Sequence, residues 1–252
     1  MLFRQEATYS GLDGRRRLHA AERTLGMRGF LGEARISRNP NALFVRPGVL
    51  DVLEEYEHRD PWRAPPANVV ARLEGTGRIR EAEEILAVAD KMKQGLGFAG
   101  GGDCNEYPFP AGETVREIDW STVTDRPHMM HRTIQGPDGR RTSRTAVDEL
   151  LLGAGLHDPA RHAALHLDRP RALDATAGHT PSMDGQGGSR RIDHLYFDLW
   201  LVQAVLDVQV VDCSGASDHN AVVATLSYRK AAEALSRAFD PLAPLDLIVA
   251  GG

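Results

Sequence analysis

The most informative stretch of the sequence is Gly101-Gly102-Asp103-Cys104-Asn105-Glu106, which follows an apolar approach through Leu96 and Phe98. If this segment is extended, the alternation of a strand places Asp103 and Asn105 on the same side. A carboxylate beside a neutral amide suits phosphate hydrolysis. The acid can orient or deprotonate a water, while the amide contacts a phosphoryl oxygen without adding repulsive charge. An ordinary turn after the glycines is the alternative interpretation.

A second motif, Ser217-Asp218-His219-Asn220, lies between two strand-like runs. Adjacent Asp and His side chains at a strand start present an oxygen ligand for a metal together with an imidazole. Histidine titrates nearest to neutral pH, so His219 can act as an acid, a base or a charged group. A capping Asp next to an incidental surface His remains the alternative.

A third motif is Arg190-Arg191-Ile192-Asp193-His194-Leu195-Tyr196. An Asp inside an apolar strand is costly to bury unless it has a partner, and a histidine whose tautomer and charge it fixes is the natural one. An edge-strand Asp that points at water is the alternative. A fourth, weaker motif is Gln5-Glu6 after Leu2 and Phe3, where Glu6 can bind Mg²⁺ through oxygen or simply face solvent.

Taken together and in this order, the four motifs resemble the endonuclease/exonuclease/phosphatase family, which includes pancreatic deoxyribonuclease, abasic-site endonucleases, sphingomyelinases and inositol-phosphate phosphatases. The resemblance runs from Leu2 to about Tyr228. It implies an α/β fold in which a two-sheet β-sandwich is flanked by helices, a four-layer α/β/β/α arrangement with the site at one end. It also implies a divalent-metal-dependent hydrolase of a phosphodiester or phosphomonoester, with nucleic acid among the possible substrates.

The resemblance implies a role for each matching residue. Asp103 would position or activate the attacking water, and Asn105 would contact the phosphate. Asp193 would orient the catalytic histidine, His219. The metal ligands for Mg²⁺ or Mn²⁺ would be Glu6 and Asp218.

Two family elements have no counterpart in the sequence. The family begins with a strand that ends in Asn before the Gln-Glu motif, and it has a hairpin ending in His-Leu before the helix that leads to Gly-Asp-x-Asn. Here the predicted strand Asn68–Leu73 passes through Gly75 to Gly77 directly into a helix. A truncated or degenerate non-catalytic protein is therefore the alternative function.

The rest of the chain alternates strand-like and helical patterns without a clear linker, which predicts one α/β domain over residues 1–228 and a C-terminal helix and tail over residues 229–252. Predicted strands are Ala42–Val45, Ile192–Phe197, Ala204–Val211 and Ala221–Tyr228; predicted helices are Ile79–Met92, Thr145–Ala154 and Lys230–Phe239. Pro159 and Pro170 flank His162 and His166, and this favours a surface connection over a metal site.

Composition limits the surroundings of the protein. The 252 residues include no apolar run long enough to span a membrane, and the start of the chain lacks a signal-peptide pattern, so we predict a cytoplasmic protein. The two cysteines, Cys104 and Cys213, predict free thiols. The net charge of −5 slightly favours a small or flexible substrate over long duplex DNA, although local arginine groups such as Arg140-Arg141 can form a basic rim.

Overall fold

The computed structural model describes residues 1–4, 13–31, 42–49, 82, 83, 86, 97–107, 118–179 and 185–235. The chain divides into two compact units, Met1–Arg72 and Leu73–Gly252. Each unit is described by itself below. The predicted division of the chain at residue 228 stays a prediction.

The described residues of the first unit form a small antiparallel sheet and a helix. Strands β1 (Leu2–Arg4), β2 (Arg28–Leu31) and β3 (Ala42–Val45) pair in the order β1-β3-β2, and helix α1 covers Arg16–Leu25. Leu18 of the helix packs with Phe44 of the sheet. A Cβ at Gly29 would lie 2.8 Å from Leu18 and 2.9 Å from Phe44, so only glycine allows this close approach.

The second unit contains the three longer motifs. Its strands are β4 (Ala99–Asp103), β5 (Thr133–Gln135), β6 (Arg141–Ser143), β7 (Leu156–His157), β8 (Asp193–Asp198), β9 (Val205–Val211) and β10 (Ala221–Leu226). The pairings among these described strands are antiparallel: β4-β8-β7 form one sheet, and β5-β6 and β9-β10 form two-stranded sheets. The helices whose bounds lie within the described residues are α2 (Arg126–Arg132), α3 (Ala146–Gly153), α4 (Pro159–His166), α5 (Leu199–Val202) and α6 (Tyr228–Leu235).

Strand β8 separates two apolar clusters, because its side chains alternate between the two faces of the sheet. Phe197 packs with Val205 and Val208 on one face. Tyr196 packs with Leu151 and Leu156 on the other. This burial on both faces holds β8 rigidly, and Asp193 at its first position is held with it.

The α/β class predicted from the sequence is confirmed, since helices alternate with small antiparallel sheets. The predicted strand at Ala42–Val45 has the same bounds in the structure, and the strands predicted around Asp193, Val208 and Val222 are present with slightly different ends. Of the predicted helix Ile79–Met92, the described residues Ala82, Glu83 and Leu86 are helical. The predicted strand Asn68–Leu73 and the Gly75 to Gly77 connection lie outside the described residues.

One local prediction was wrong. The segment around His162 is helix α4 rather than a surface connection, and its Ala160 and Ala163 side chains are buried. Asp158 caps this helix by accepting hydrogen bonds from the backbone N–H groups of Ala160 and Arg161. Pro159 occupies the first helical position, where a missing N–H costs nothing, so the proline starts the helix instead of excluding one.

Candidate active site

The carboxylates of the two strand motifs lie opposite each other on neighbouring strands. In the antiparallel pairing of β4 with β8, Asp103 is directly across from Asp193. The strands approach closely at Gly101, where a Cβ would come within 2.4 Å of the carbonyl oxygen of His194. The glycines before Asp103 therefore allow β4 to pack closely against β8, and this places the Asp103 carboxylate at the end of β4.

Beyond Asp103 the chain turns, which corrects the expectation of an extended segment. The strand ends at Asp103, and its Oδ1 accepts a hydrogen bond of 2.7 Å from the backbone N–H of Asn105. Asn105 adopts a left-handed conformation with φ of 52°, which Asn tolerates better than most residues. The Asp103 carboxylate thus closes a turn onto the backbone of Asn105, and the turn interpretation of this motif is correct for the backbone.

His219 and Asp193 form a hydrogen-bonded pair although they are 26 residues apart. The distance from His219 Nδ1 to Asp193 Oδ2 is 2.8 Å. The side chains are 25% and 19% exposed, so the pair is largely shielded yet reachable from solvent. The backbone N–H of His219 also donates to the Ser217 hydroxyl at 3.1 Å, which fixes the loop that carries the imidazole.

Thr176 ties the two motifs together. Its hydroxyl oxygen accepts hydrogen bonds from the backbone N–H groups of Ile192 and Asp193, each at 3.1 Å. Its carbonyl oxygen accepts a hydrogen bond of 2.7 Å from the backbone N–H of Asn220, the residue after His219. Thr176 is fully buried. Sequence reasoning missed it, because a lone threonine in a polar stretch carries no recognisable signal.

The electrostatics of the site place an acid beside a histidine that favours its charged form. The hydrogen bond to Asp193 is the main influence that raises the pKa of His219 above its ordinary value of 6.5. Burial acts in the opposite direction, and the charges of Asp193, Asp103 and Asp218 raise the pKa further. Burial is the main influence that raises the pKa of Asp103 above 3.8, followed by the charge of Asp193. His219 and Arg132 act in the opposite direction on Asp103. Asp103 is therefore a stronger base than an exposed aspartate.

Of the two predicted metal ligands, the structure describes only Asp218. Asp218 is exposed beside His219, and its charge reaches the imidazole. Glu6 lies outside the described residues, so its part in a metal site stays a prediction. Within the described ranges, no group of three or more His, Cys, Asp or Glu side chains is arranged to hold a metal ion. The nearby acids are hard oxygen donors, which is the donor type that Mg²⁺ and Mn²⁺ prefer.

Comparisons with known proteins agree with this geometry at the level of fold. An AP endonuclease from Archaeoglobus fulgidus matches over 89% of this chain and 88% of its own, with a TM-score of 0.53 and 15% sequence identity. The chain shares its fold. A 3'-5' exonuclease from Neisseria meningitidis matches over 89% and 88% of the two chains, with a TM-score of 0.50 and 16% identity. A 3' phosphatase from Neisseria, bound to product DNA hairpin, matches over 90% and 88%, with a TM-score of 0.50 and 16% identity. No protein-family model matches the chain, and no curated protein matches it in sequence.

A buried ionic network lies next to the candidate site. Arg191 Nη1 is 2.8 Å from Asp158 Oδ2, and both side chains are almost completely buried. His194 Nδ1 lies 3.3 Å from the same carboxylate oxygen. Burial works against ionisation of Asp158, but Arg191 and His194 hold its pKa well below the usual range. The network joins the start of β8 to the first turn of α4 and so anchors the strand that carries Asp193.

Two features bear on the surroundings of the protein. The described helices include none that is both long and apolar enough to cross a membrane. Both cysteines are free, as the sequence predicted. Burial raises the pKa of the Cys104 thiol well above its ordinary value, so this residue of the Gly-Asp-Cys-Asn motif is an inert packing group at neutral pH.

Proposed function

We propose that the chain is a divalent-metal-dependent phosphoesterase that hydrolyses a phosphodiester or a phosphomonoester. The observation that supports this most directly is the Asp193–His219 hydrogen bond next to Asp103, which lies across from Asp193 on the neighbouring strand. An acid-oriented imidazole beside a second carboxylate, the one whose pKa is raised by burial, is an arrangement that supports water attack on a phosphoryl group. The four-layer sandwich implied by the family resemblance is part of the same proposal.

Each site residue then has a distinct task. Asp103 accepts a proton from the attacking water, because its raised pKa makes it a better base. His219, whose pKa is raised by its hydrogen bond to Asp193, stabilises the negative charge that develops on the phosphoryl group. The side-chain amide of Asn105 donates to a phosphoryl oxygen without adding charge. Asp193 fixes the orientation of the imidazole through the 2.8 Å bond.

The acids present fit a hard divalent cation. Burial and the charge of Asp193 both disfavour the ionised form of Asp103, and a bound cation would reverse this penalty. We propose that exposed Asp218 contributes an oxygen ligand. When bound, Mg²⁺ or Mn²⁺ would supply Lewis-acid stabilisation of charge on the phosphoryl oxygen.

Nucleic acid is the substrate class we place first. The fold is shared with enzymes whose names are AP endonuclease, exonuclease and 3' phosphatase, one of them bound to product DNA hairpin. The net charge of −5 argues against tight binding of long duplex DNA through its backbone. We therefore propose that the chain acts on short or flexible nucleic-acid ends, with small phosphodiesters as surrogate substrates.

The test is a hydrolysis screen of the purified chain in Mg²⁺, in Mn²⁺ and with chelator. Its substrates are bis-p-nitrophenyl phosphate, plasmid DNA, an oligonucleotide with a terminal phosphate, and phospholipid head groups. We expect turnover of an oligonucleotide or plasmid that stops with chelator. His219→Ala should abolish it, whereas His166→Ala, a change at an exposed histidine of α4, should not. If no substrate is hydrolysed with either Mg²⁺ or Mn²⁺, the proposed hydrolytic function is wrong and the non-catalytic alternative is correct.

A further inference from the structure

Arg132, the last residue of helix α2, reaches the candidate active site. Its guanidinium Nη1 donates a hydrogen bond to the backbone carbonyl oxygen of Asn105, 27 residues earlier in the chain. The side chain is half-buried, so this charge is partly shielded from solvent. Neither its position in the sequence nor any motif around it indicated a contact with the Gly-Asp-Cys-Asn segment.

The backbone of Arg132 is also linked by hydrogen bonds to the segment that its side chain contacts. Its carbonyl oxygen accepts a hydrogen bond of 2.8 Å from the backbone N–H of Arg144, and the Arg144 carbonyl accepts one of 2.9 Å from the N–H of Tyr107. Tyr107 is only two residues after Asn105 and is buried. The end of α2 and the Asn105 turn are therefore linked both through the guanidinium and through a chain of backbone hydrogen bonds.

This link acts on the backbone of Asn105. Its φ of 52° lies in the left-handed region, which Asn tolerates better than most residues but which is uncommon for any residue other than glycine. Its N–H is held by Asp103 Oδ1 at 2.7 Å, and its carbonyl is held by Arg132. With both ends of the residue fixed, the direction of the Asn105 Cα–Cβ bond is set. A charged donor makes a stronger hydrogen bond than a neutral one, so Arg132 suits this task better than water would.

We propose that Arg132 is a positioning residue of the hydrolytic site: it holds the left-handed turn at Asn105 and so directs the Asn105 amide toward the phosphoryl oxygen. The inference rests on the proposed function of Asn105. It makes helix α2, which no motif identified, a part of the site. Arg132 acts through Asn105 and is not itself assigned a contact with the substrate.

The first test uses kinetics with an internal control. Arg132→Gln should lower kcat by about tenfold to a hundredfold, the range that a charge-assisted hydrogen bond supplies, while KM changes less than about threefold. Arg126→Gln, at the exposed start of the same helix, should leave both constants unchanged. In an Asn105→Gly background, where the amide is gone and glycine tolerates the left-handed turn, adding Arg132→Gln should cost less than about threefold.

A full loss from Arg132→Gln in the Asn105→Gly background would overturn the proposal, because Arg132 would then act independently of the amide.

The second test needs no turnover and measures hydrogen exchange of the peptide covering residues 103–107. Arg132→Gln should speed exchange there while Arg126→Gln does not, and unchanged exchange would overturn the proposal. An inactive wild type that still shows this exchange difference would refute the proposed function and retain the Arg132 link to the turn.

Discussion

Replacing Asp193 by Asn tests the pairing on which the proposed chemistry depends. The substitution keeps the shape of the side chain but removes its charge, which lies 2.8 Å from the His219 imidazole in a largely shielded site. An Asn can pair with the ring only as a neutral partner, so the carboxylate charge that favours the protonated form of His219 is lost. Removing one group that stabilises developing charge typically lowers kcat by about 10²- to 10³-fold. We therefore expect kcat to fall by that factor, about 2.7–4 kcal/mol of activation free energy.

The same substitution has a predictable effect on stability. Asp193 raises the pKa of His219 above 6.5, so the pair stabilises the folded state fully below that pH and loses this contribution as pH rises through the folded-state pKa. A hydrogen bond to a charged group contributes about 1.5–3 kcal/mol. The unfolding free energies of wild type and Asp193→Asn should therefore differ by about that amount at about pH 5.5, and by clearly less at about pH 9.

Both effects are measured on one pair of proteins. Steady-state kinetics in saturating Mg²⁺ gives kcat and KM, and urea unfolding at the two pH values gives the stability difference. Asp212→Asn, which neutralises an exposed aspartate bonded to Ser214, is the control. A kcat within about threefold of wild type, or a stability difference that is the same at both pH values, would refute the reasoning.

Three further changes have defined outcomes. Asp103→Asn should abolish turnover yet raise Tm by about 2–4 °C at neutral pH. Burial and the charge of Asp193 raise the pKa of Asp103, so ionisation of this carboxyl costs stability. The gain in Tm should therefore fade in melts taken toward about pH 4. Arg191→Met should cost about 3–5 kcal/mol in urea unfolding, because it leaves the buried charge of Asp158 without its partner 2.8 Å away. Arg140→Gln, at the exposed β5–β6 turn, should raise the KM for an oligonucleotide in low salt and leave the turnover of bis-p-nitrophenyl phosphate unchanged. Equal effects on both substrates would exclude a role of Arg140 in nucleic-acid binding.

The fold was predictable where local patterns and packing agree. Strand β8 was visible in the sequence because its apolar residues are buried on both faces, and α3 was visible from the spacing of Val147 and Leu151. Helix α4 was not, because its burial rests on small alanines and a proline was taken as a break. Propensity alone cannot distinguish a proline that starts a helix from one that excludes it.

The candidate site also contains residues that the sequence predicted and residues that it did not. The burial argument indicated only that Asp193, an acid in an apolar strand, needs a partner such as a histidine; the family resemblance implied that this histidine is His219. The roles of both residues, and of Asp103, Asn105, Asp218 and Glu6, stay predictions until activity is measured. Thr176 and Arg132 could not be predicted, because each acts through hydrogen bonds to the backbone of residues distant in sequence. Such contacts depend on the folded path of the chain rather than on any local pattern.

The most direct test of the central claim is the rate of phosphodiester hydrolysis as Mg²⁺ is titrated into chelator-treated protein, for wild type and for His219→Ala. The proposed chemistry predicts a saturable rise for the wild type. His219→Ala should stay at least about a hundredfold lower at every Mg²⁺ concentration while its Tm still responds to the metal. A wild-type rate that is independent of Mg²⁺, or a His219→Ala protein as active as wild type, would contradict the account.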